Sequence, residues 1–126
     1  MNIYISHSGY YDYEDELYKP IRESELAKLH RFFLPHEPEN VDTNAKQELQ
    51  QTDILVAEAS MPSTGQGIEL AQAEAAGVPI ICFYKAGFKP SQSLLFVTDN
   101  VIEYTDMPDL FTKLQAELAR FTTTKD

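Results

Sequence analysis

Residues Asp53 to Leu70, DILVAEASMPSTGQGIEL, limit the fold of this chain more than any other stretch. Asp53 to Ala59 is a nearly continuous apolar run, the pattern of a strand buried on both faces in a parallel sheet. A Pro/Ser/Gly turn follows, and then a small-residue helix is expected from Gly67 to Ala76, closed by Gly77 with Pro79 just beyond. Strand, tight turn and helix start together direct free N–H groups and the helix dipole at one place, which suits an anion. Glu69, read as lying in the first turn of that helix, puts a carboxylate in the same place. It is either a dipole-stabilising charge or a reactive group.

Four further strands are expected around this unit. Ile3 to Ser6 begins the chain's first strand, and the polar turn His7-Ser8-Gly9 follows it. Tyr13, Leu17 and Ile21 recur at helical spacing, in a helix that Pro20 should kink or divide. Arg31 to Leu34 reads as a second strand, His36 to Asn44 as a loop, and Val41, Ala45 and Leu49 as a short second helix. Val78 to Tyr84 and Asn100 to Tyr104 supply the last two strands. Asp106 and Pro108 start a terminal helix with Leu110, Phe111, Leu114, Leu118 and Phe121 on one face. Strands alternating with helices imply an α/β fold: a single-domain, flavodoxin- or Rossmann-like, parallel five-stranded sheet with helices on both faces. The domain is expected to span residues 1–121, with 122–126 as a frayed tail. In such sheets ligands sit at the carboxyl ends of the strands beside the switch point, so Ser6 to Gly9 and Ser60 to Gly67 should flank one crevice.

Composition narrows the partners. With 20 acidic against 10 basic residues the net charge is −10, which repels nucleic-acid polymers and anionic membranes. A small anionic ligand stays compatible, because a local nest of N–H groups binds phosphate without net positive charge. The one cysteine, Cys82, sits in an apolar run and reads as a core residue rather than a redox group. No apolar run approaches the roughly 20 residues needed to cross a bilayer, and no leader pattern precedes the first strand, so a cytoplasmic protein is expected. No spacing of His, Cys or Asp suggests a metal, and no cofactor is expected.

Several residues carry two readings. Ser63, Thr64, Gly65 and Gly67 could offer hydroxyls and open N–H groups to phosphate or sugar; alternatively, Ser63 and Gln66 form a capping box and the glycines only shape the turn. Glu69 could attack an electron-poor anomeric carbon, as glycosyl transfer requires, with a second carboxyl or a substrate ring nitrogen managing the leaving group's proton. His7 could bind phosphate or act as an acid, and His36 and Glu37 lie near the same crevice edge; each could equally be incidental. The run Tyr10 to Glu16 mixes rings with acids and could wall a base pocket or simply begin a solvated helix.

The segment Leu49 to Leu70 resembles the nucleoside 2-deoxyribosyltransferase superfamily, most of all its 2'-deoxynucleoside 5'-monophosphate N-glycosidases. The shared pattern is an apolar strand, then A-E-x-x-x-P-S-x-G-x-G-x-E-L, here Ala57 to Leu70, then a strand such as Val78 to Tyr84. About half the chain is well covered, with weaker support around Ile3 and from Ser91 to Leu95. The resemblance implies that Glu69 is the nucleophile and that Ser63, Gly65 and Gly67 contact phosphate or sugar. It also implies that Ser6, His7, Ser8 and Gly9 close the pocket. A serine from a second subunit, Ser93 or Ser91, would complete the phosphate site of a homodimer. One departure stands out: the position of the family's assisting Asp is Ala45 here, and the chain is shorter than typical members between strands two and three. Asp42 is the nearby acid that could substitute, and Asn44 could supply a hydrogen bond. The expectation is N-glycosidic cleavage of a deoxynucleotide or nucleoside with water as the favoured acceptor. Its rivals are a non-catalytic nucleotide-binding module of the same fold and a homo-oligomeric scaffold without ligand.

Overall fold

A computed structural model describes residues 1–124 of the chain. All five strands pair in parallel, in the order β2-β1-β3-β4-β5. They are β1 (Asn2–His7), β2 (Arg31–Phe33), β3 (Ile54–Glu58), β4 (Ile80–Lys85) and β5 (Val101–Tyr104). The order reverses between β1 and β3, whose register brings Ser6 opposite Ala57 and His7 opposite Glu58 at the carboxyl ends. This is the doubly wound arrangement expected from the alternation of strands and helices.

Strand alternation sorts the core into two layers. On one face Ile3, Ile5, Ile54, Val56, Ile81 and Phe83 pack with Leu17, Tyr18 and Ile21 and with Leu110, Leu114 and Leu118 of the terminal helix α5 (Met107–Thr124). Leu17, Tyr18 and Ile21 come from the helical stretch after β1. That stretch winds loosely as a π-helix over Glu14–Tyr18 and then tightens into α1 (Lys19–Glu23), with α2 (Leu26–Leu29) after it. The change comes one residue before Pro20, which cannot donate to the preceding turn, so the proline divides the segment as expected. On the other face Tyr4, Leu55, Ala57, Ile80 and Cys82 pack with Leu49 of α3 (Ala45–Leu49) and with Leu70 and Ala73 of α4 (Thr64–Ala75). Cys82 is fully buried and its thiol is pushed up to about 12 by burial, which leaves it unreactive.

Two helix starts differ from expectation. Val41 is exposed and lies outside α3, because Asn44 caps that helix by accepting the Lys46 N–H at 2.9 Å. The central helix α4 begins at Thr64 rather than Gly67, because Ser63 has extended backbone and accepts the Gln66 N–H at 3.3 Å. Glu69 therefore sits in the second turn, with no acid in the first. The helix dipole, which fades within one turn, does little for it. At the other end Gly77 adopts φ 74° and donates to Glu74 O, while Val78 donates to Ala73 O. This pair of bonds is a Schellman cap, and Val78 and Ala73 share the same apolar cluster. Helix α5 starts where expected, Asp106 capping the Asp109 N–H at 2.9 Å. The helix is described as far as Thr124, and the remainder of the expected tail, residues 125 and 126, lies outside the described residues. Among the described residues no helix is long and apolar enough to cross a membrane.

Candidate active site

Helix α4 buries Gln66, Leu70 and Ala73, a stripe at i, i+4 and i+7. Glu69, three residues after Gln66 and four before Ala73, lies along the same side and meets β1. Tyr4 and Ser6 are two residues apart on β1 and so point to one face of the sheet. Both hydroxyls donate to the Glu69 carboxylate, Ser6 to Oε1 at 2.9 Å and Tyr4 to Oε2. Tyr4 and Ser6 are fully buried, whereas Glu69 is half-buried. Burial raises the Glu69 carboxyl above its ordinary value, against the opposite pull of the Tyr4 and Ser6 hydrogen bonds. The Tyr4 phenol is pushed up, first by burial and then by the Glu69 charge, so it remains a donor. The result is one carboxylate at the switch point whose two oxygens are each fixed by a hydroxyl.

The cap at Ser63 forms only half of the capping box. Instead of turning back to Ser63, the Gln66 amide donates to the Glu58 carbonyl at 2.9 Å and ties the start of α4 to the end of β3. The N–H groups of Thr64 and Gly65 have no partner among the described residues. A side chain at Gly65 or Gly67 would meet nothing within 4 Å, so this helix start is open on its outer side. Ser63, Gly67 and Ser91 line one small cleft of about 90 Å³ beside it. Ser93 does not reach that cleft within the chain: it is exposed, and its N–H is held by the Ser91 hydroxyl at 3.2 Å.

The turn after β1 is divided between the two faces. Ser8 is buried and its hydroxyl accepts the Tyr10 N–H at 3.1 Å, while Gly9 is exposed. His7 is the last residue of β1 and points to the face opposite Ser6. It is buried, stacked on Tyr13 and edge-on to Tyr18 and His36. The Ser8 carbonyl can only accept, so His7 carries its proton on Nδ1 and donates there at 2.9 Å. Its Nε2 then accepts from the Tyr18 hydroxyl at 2.6 Å, and that oxygen accepts the His36 N–H at 3.0 Å. Burial, with a smaller push from His36, lowers His7 to about 4. Both ring nitrogens are occupied within the fold. His36 is exposed except where its ring packs on this cluster, and Glu37 pairs with Arg22 at 2.8 Å.

Among the described residues, Glu69 takes hydrogen bonds from Tyr4 and Ser6, and no second carboxylate is paired with it. Asp42 is exposed in the loop before α3, and its carboxylate takes no hydrogen bond among the described residues. Ala45, the first residue of α3, packs against the cluster containing Tyr4 and Leu70. An acid at that position would therefore lie on the Glu69 side of the sheet, where this chain has a methyl group. The residue that sequence reading missed is Tyr4. Its signal was available: a hydroxyl-bearing ring two positions before Ser6 on a strand must share Ser6's face.

No family model matches the chain. Over 74 residues it is 36% identical to a Syntrophotalea carbinolica protein named as 2'-deoxynucleoside 5'-phosphate N-hydrolase 1, covering 56% of this chain and 52% of that one. Over 37 residues it is 51% identical to the 5-hydroxymethyl-dUMP N-hydrolase of Rattus norvegicus, covering 29% of this chain and 23% of that one. The matches thus span about half or less of the curated relatives' length. Among solved structures, the CMP N-glycosidase of Clostridium botulinum superposes with a TM-score of 0.66 over 91% of this chain and 99% of its own, at 18% identity. At that identity the likeness shows the fold alone. The resemblance read from Leu49 to Leu70 thus meets relatives named as deoxynucleotide N-hydrolases in sequence, and a CMP N-glycosidase in fold.

Proposed function

We propose that this chain hydrolyses the N-glycosidic bond of a 2'-deoxynucleoside 5'-monophosphate, with Glu69 as nucleophile. The observation that carries the reading is the Glu69 carboxylate held between the Tyr4 and Ser6 hydroxyls at the switch point of the sheet. The names of the relatives, both N-hydrolases of deoxynucleotides, support the same chemistry. Glu69 attacks C1' of the deoxyribose, and the C1'–N bond breaks with its electron pair leaving on the base. Water then attacks C1' of the glycosyl ester, releasing deoxyribose 5-phosphate and the free carboxylate. The open N–H groups of Thr64 and Gly65, with Ser63 and Gly67, are suited to the phosphate, and Ser8 and Gly9 would contact the sugar. In a homodimer, Ser93 or Ser91 of a second copy would complete the phosphate contacts.

The departing base needs a proton, and among the described residues no carboxyl group is paired with Glu69 to offer one. Positioned acids contribute about 10²–10⁴-fold in such reactions. The reading therefore favours substrates whose base is protonated on its own ring or by solvent, and a slow enzyme. A second reading follows from the methyl group of Ala45: the site binds a nucleotide without turning it over. Chromatography of free base across a panel of deoxynucleoside monophosphates separates the two. Hydrolysis predicts base release from at least one member and none from the Glu69→Ala variant. Thermal stabilisation by a nucleotide without base release would instead establish the binding module.

A further inference from the structure

On the face of the sheet opposite Glu69, the carboxyl ends of β3, β4 and β5 and the start of α5 enclose a cleft of about 430 Å³. That is the size of a small-molecule site. Its floor is a hydrogen-bonded knot around Glu58, which is buried at 4% exposure. The Glu58 carboxylate accepts the Ser60 N–H at 3.0 Å, the Ser60 hydroxyl at 2.8 Å and the Tyr104 hydroxyl. Ser60 Oγ in turn accepts the Lys85 N–H at 2.8 Å, which locks the ends of β3 and β4 together. The Tyr11 hydroxyl is buried beside Tyr104 and Glu58, within reach of the Tyr104 oxygen but without full hydrogen-bond geometry to any partner among the described residues. Packing alone does not reward a buried hydroxyl left without a partner.

The lining selects a class of occupant. Tyr11, Phe88 and Met107 give it aromatic and thioether walls, which suit an apolar body of ring size. Around those walls stand the carboxylates of Asp15, Glu16 and Asp106, with Glu58 beneath, against the single ammonium of Lys85. An anion would meet four like charges and one opposite, and an uncharged apolar molecule would leave the carboxylates unanswered. We infer that this cleft binds a primary organic cation, an ammonium group carried on an aromatic or similarly bulky apolar body. The ring packs on Tyr11 and Phe88, and the ammonium meets the acidic rim of Asp15, Glu16 and Asp106. Tyr4 and Ser6, the partners of Glu69, are not among its walls, so the inference does not depend on the hydrolase reading.

The test is a titration of the full chain with phenethylammonium at constant ionic strength, followed by backbone amide NMR. Saturable shifts are expected at Ser60, Met61, Lys85 and Met107, with none from 3-phenylpropionate, which has a similar ring and tether but the opposite charge. The Asp15→Asn/Asp106→Asn double variant should bind the amine roughly three- to tenfold more weakly, as expected for two rim charges. Both changes are conservative: Asp15 is exposed, and Asn replaces Asp106 as a helix cap. Non-saturating shifts, an equal response to 3-phenylpropionate, or undiminished affinity in the double variant would each overturn the inference.

Discussion

At the scale of the residue, the Glu69 carboxylate is under two opposed influences. Burial raises it, and the Tyr4 and Ser6 hydroxyls pull it back. A nucleophile must be ionised, so the acid limb of kcat/KM should lie above the ordinary glutamate value of 4.5, with activity rising as pH rises through it. Tyr4→Phe removes one donor. It should shift that limb further up and lower kcat/KM by about 10–100-fold, the equivalent of one hydrogen bond to a charged group; a pH–rate profile of the variant measures both. Glu69→Gln should abolish turnover, a loss on the order of 10⁴-fold or more, yet raise Tm. The sign follows from linkage. Because the folded carboxyl is raised, the folded state holds a proton that the unfolded chain releases, so wild-type stability falls as pH rises from 4.5 through the folded value. The Tm advantage of Glu69→Gln should therefore widen across that window and then level off. Differential scanning calorimetry at several pH values checks it, and a Tm deficit at neutral pH would show that the charge is not costly where it sits.

At the scale of the element, α4 is delimited by two caps that were each readable in the chain, though not with equal accuracy. Gly77 past the helix end was legible because a left-handed residue followed by Pro79 is a common stop signal. Its φ of 74° is the constraint, since a Cβ there would meet nothing within 4 Å. Gly77→Ala should therefore lower stability by about 1–2 kcal/mol, the cost of a left-handed conformation alone, with no change in core packing. Urea denaturation should show a lower midpoint at unchanged slope. The helix start was misplaced by three residues because PSTGQG contains turn-forming glycines. Two of them, Gly65 and Gly67, prove to be helical residues once Ser63 caps Gln66. That displacement moved Glu69 from the first turn to the second and changed the physical explanation of its charge from the helix dipole to β1's hydroxyls.

At the scale of the whole molecule, the two faces of the sheet respond oppositely to acid. His7, lowered to about 4 by burial, is neutral in the fold but binds a proton when unfolded. Its contribution is complete above the ordinary 6.5 and is lost as pH falls toward 4, a change of about 3 kcal/mol from the linkage relation. Glu69 slopes the other way above 4.5, so its Gln variant should lose stability more steeply than wild type on acidification. His7→Phe should flatten the profile between 6.5 and 4, and calorimetry across that range tests it. Much of this architecture was open to reading from the chain. The apolar runs of Ile54 to Glu58 and Ile80 to Phe83 demand a two-sided buried parallel sheet, and their alternation with helices leaves few orders of strands. The motif from Ala57 to Leu70 likewise determined which carboxylate is the candidate nucleophile. Tertiary structure alone decided its surroundings. Period-two alternation divides adjacent residues between opposite faces, so Ser6 joined Glu69 while His7, one position later, was closed into an aromatic cluster. Contacts between β1 and a helix more than sixty residues away leave no local pattern, which is why Tyr4 escaped notice and why Asp42 remained in solvent.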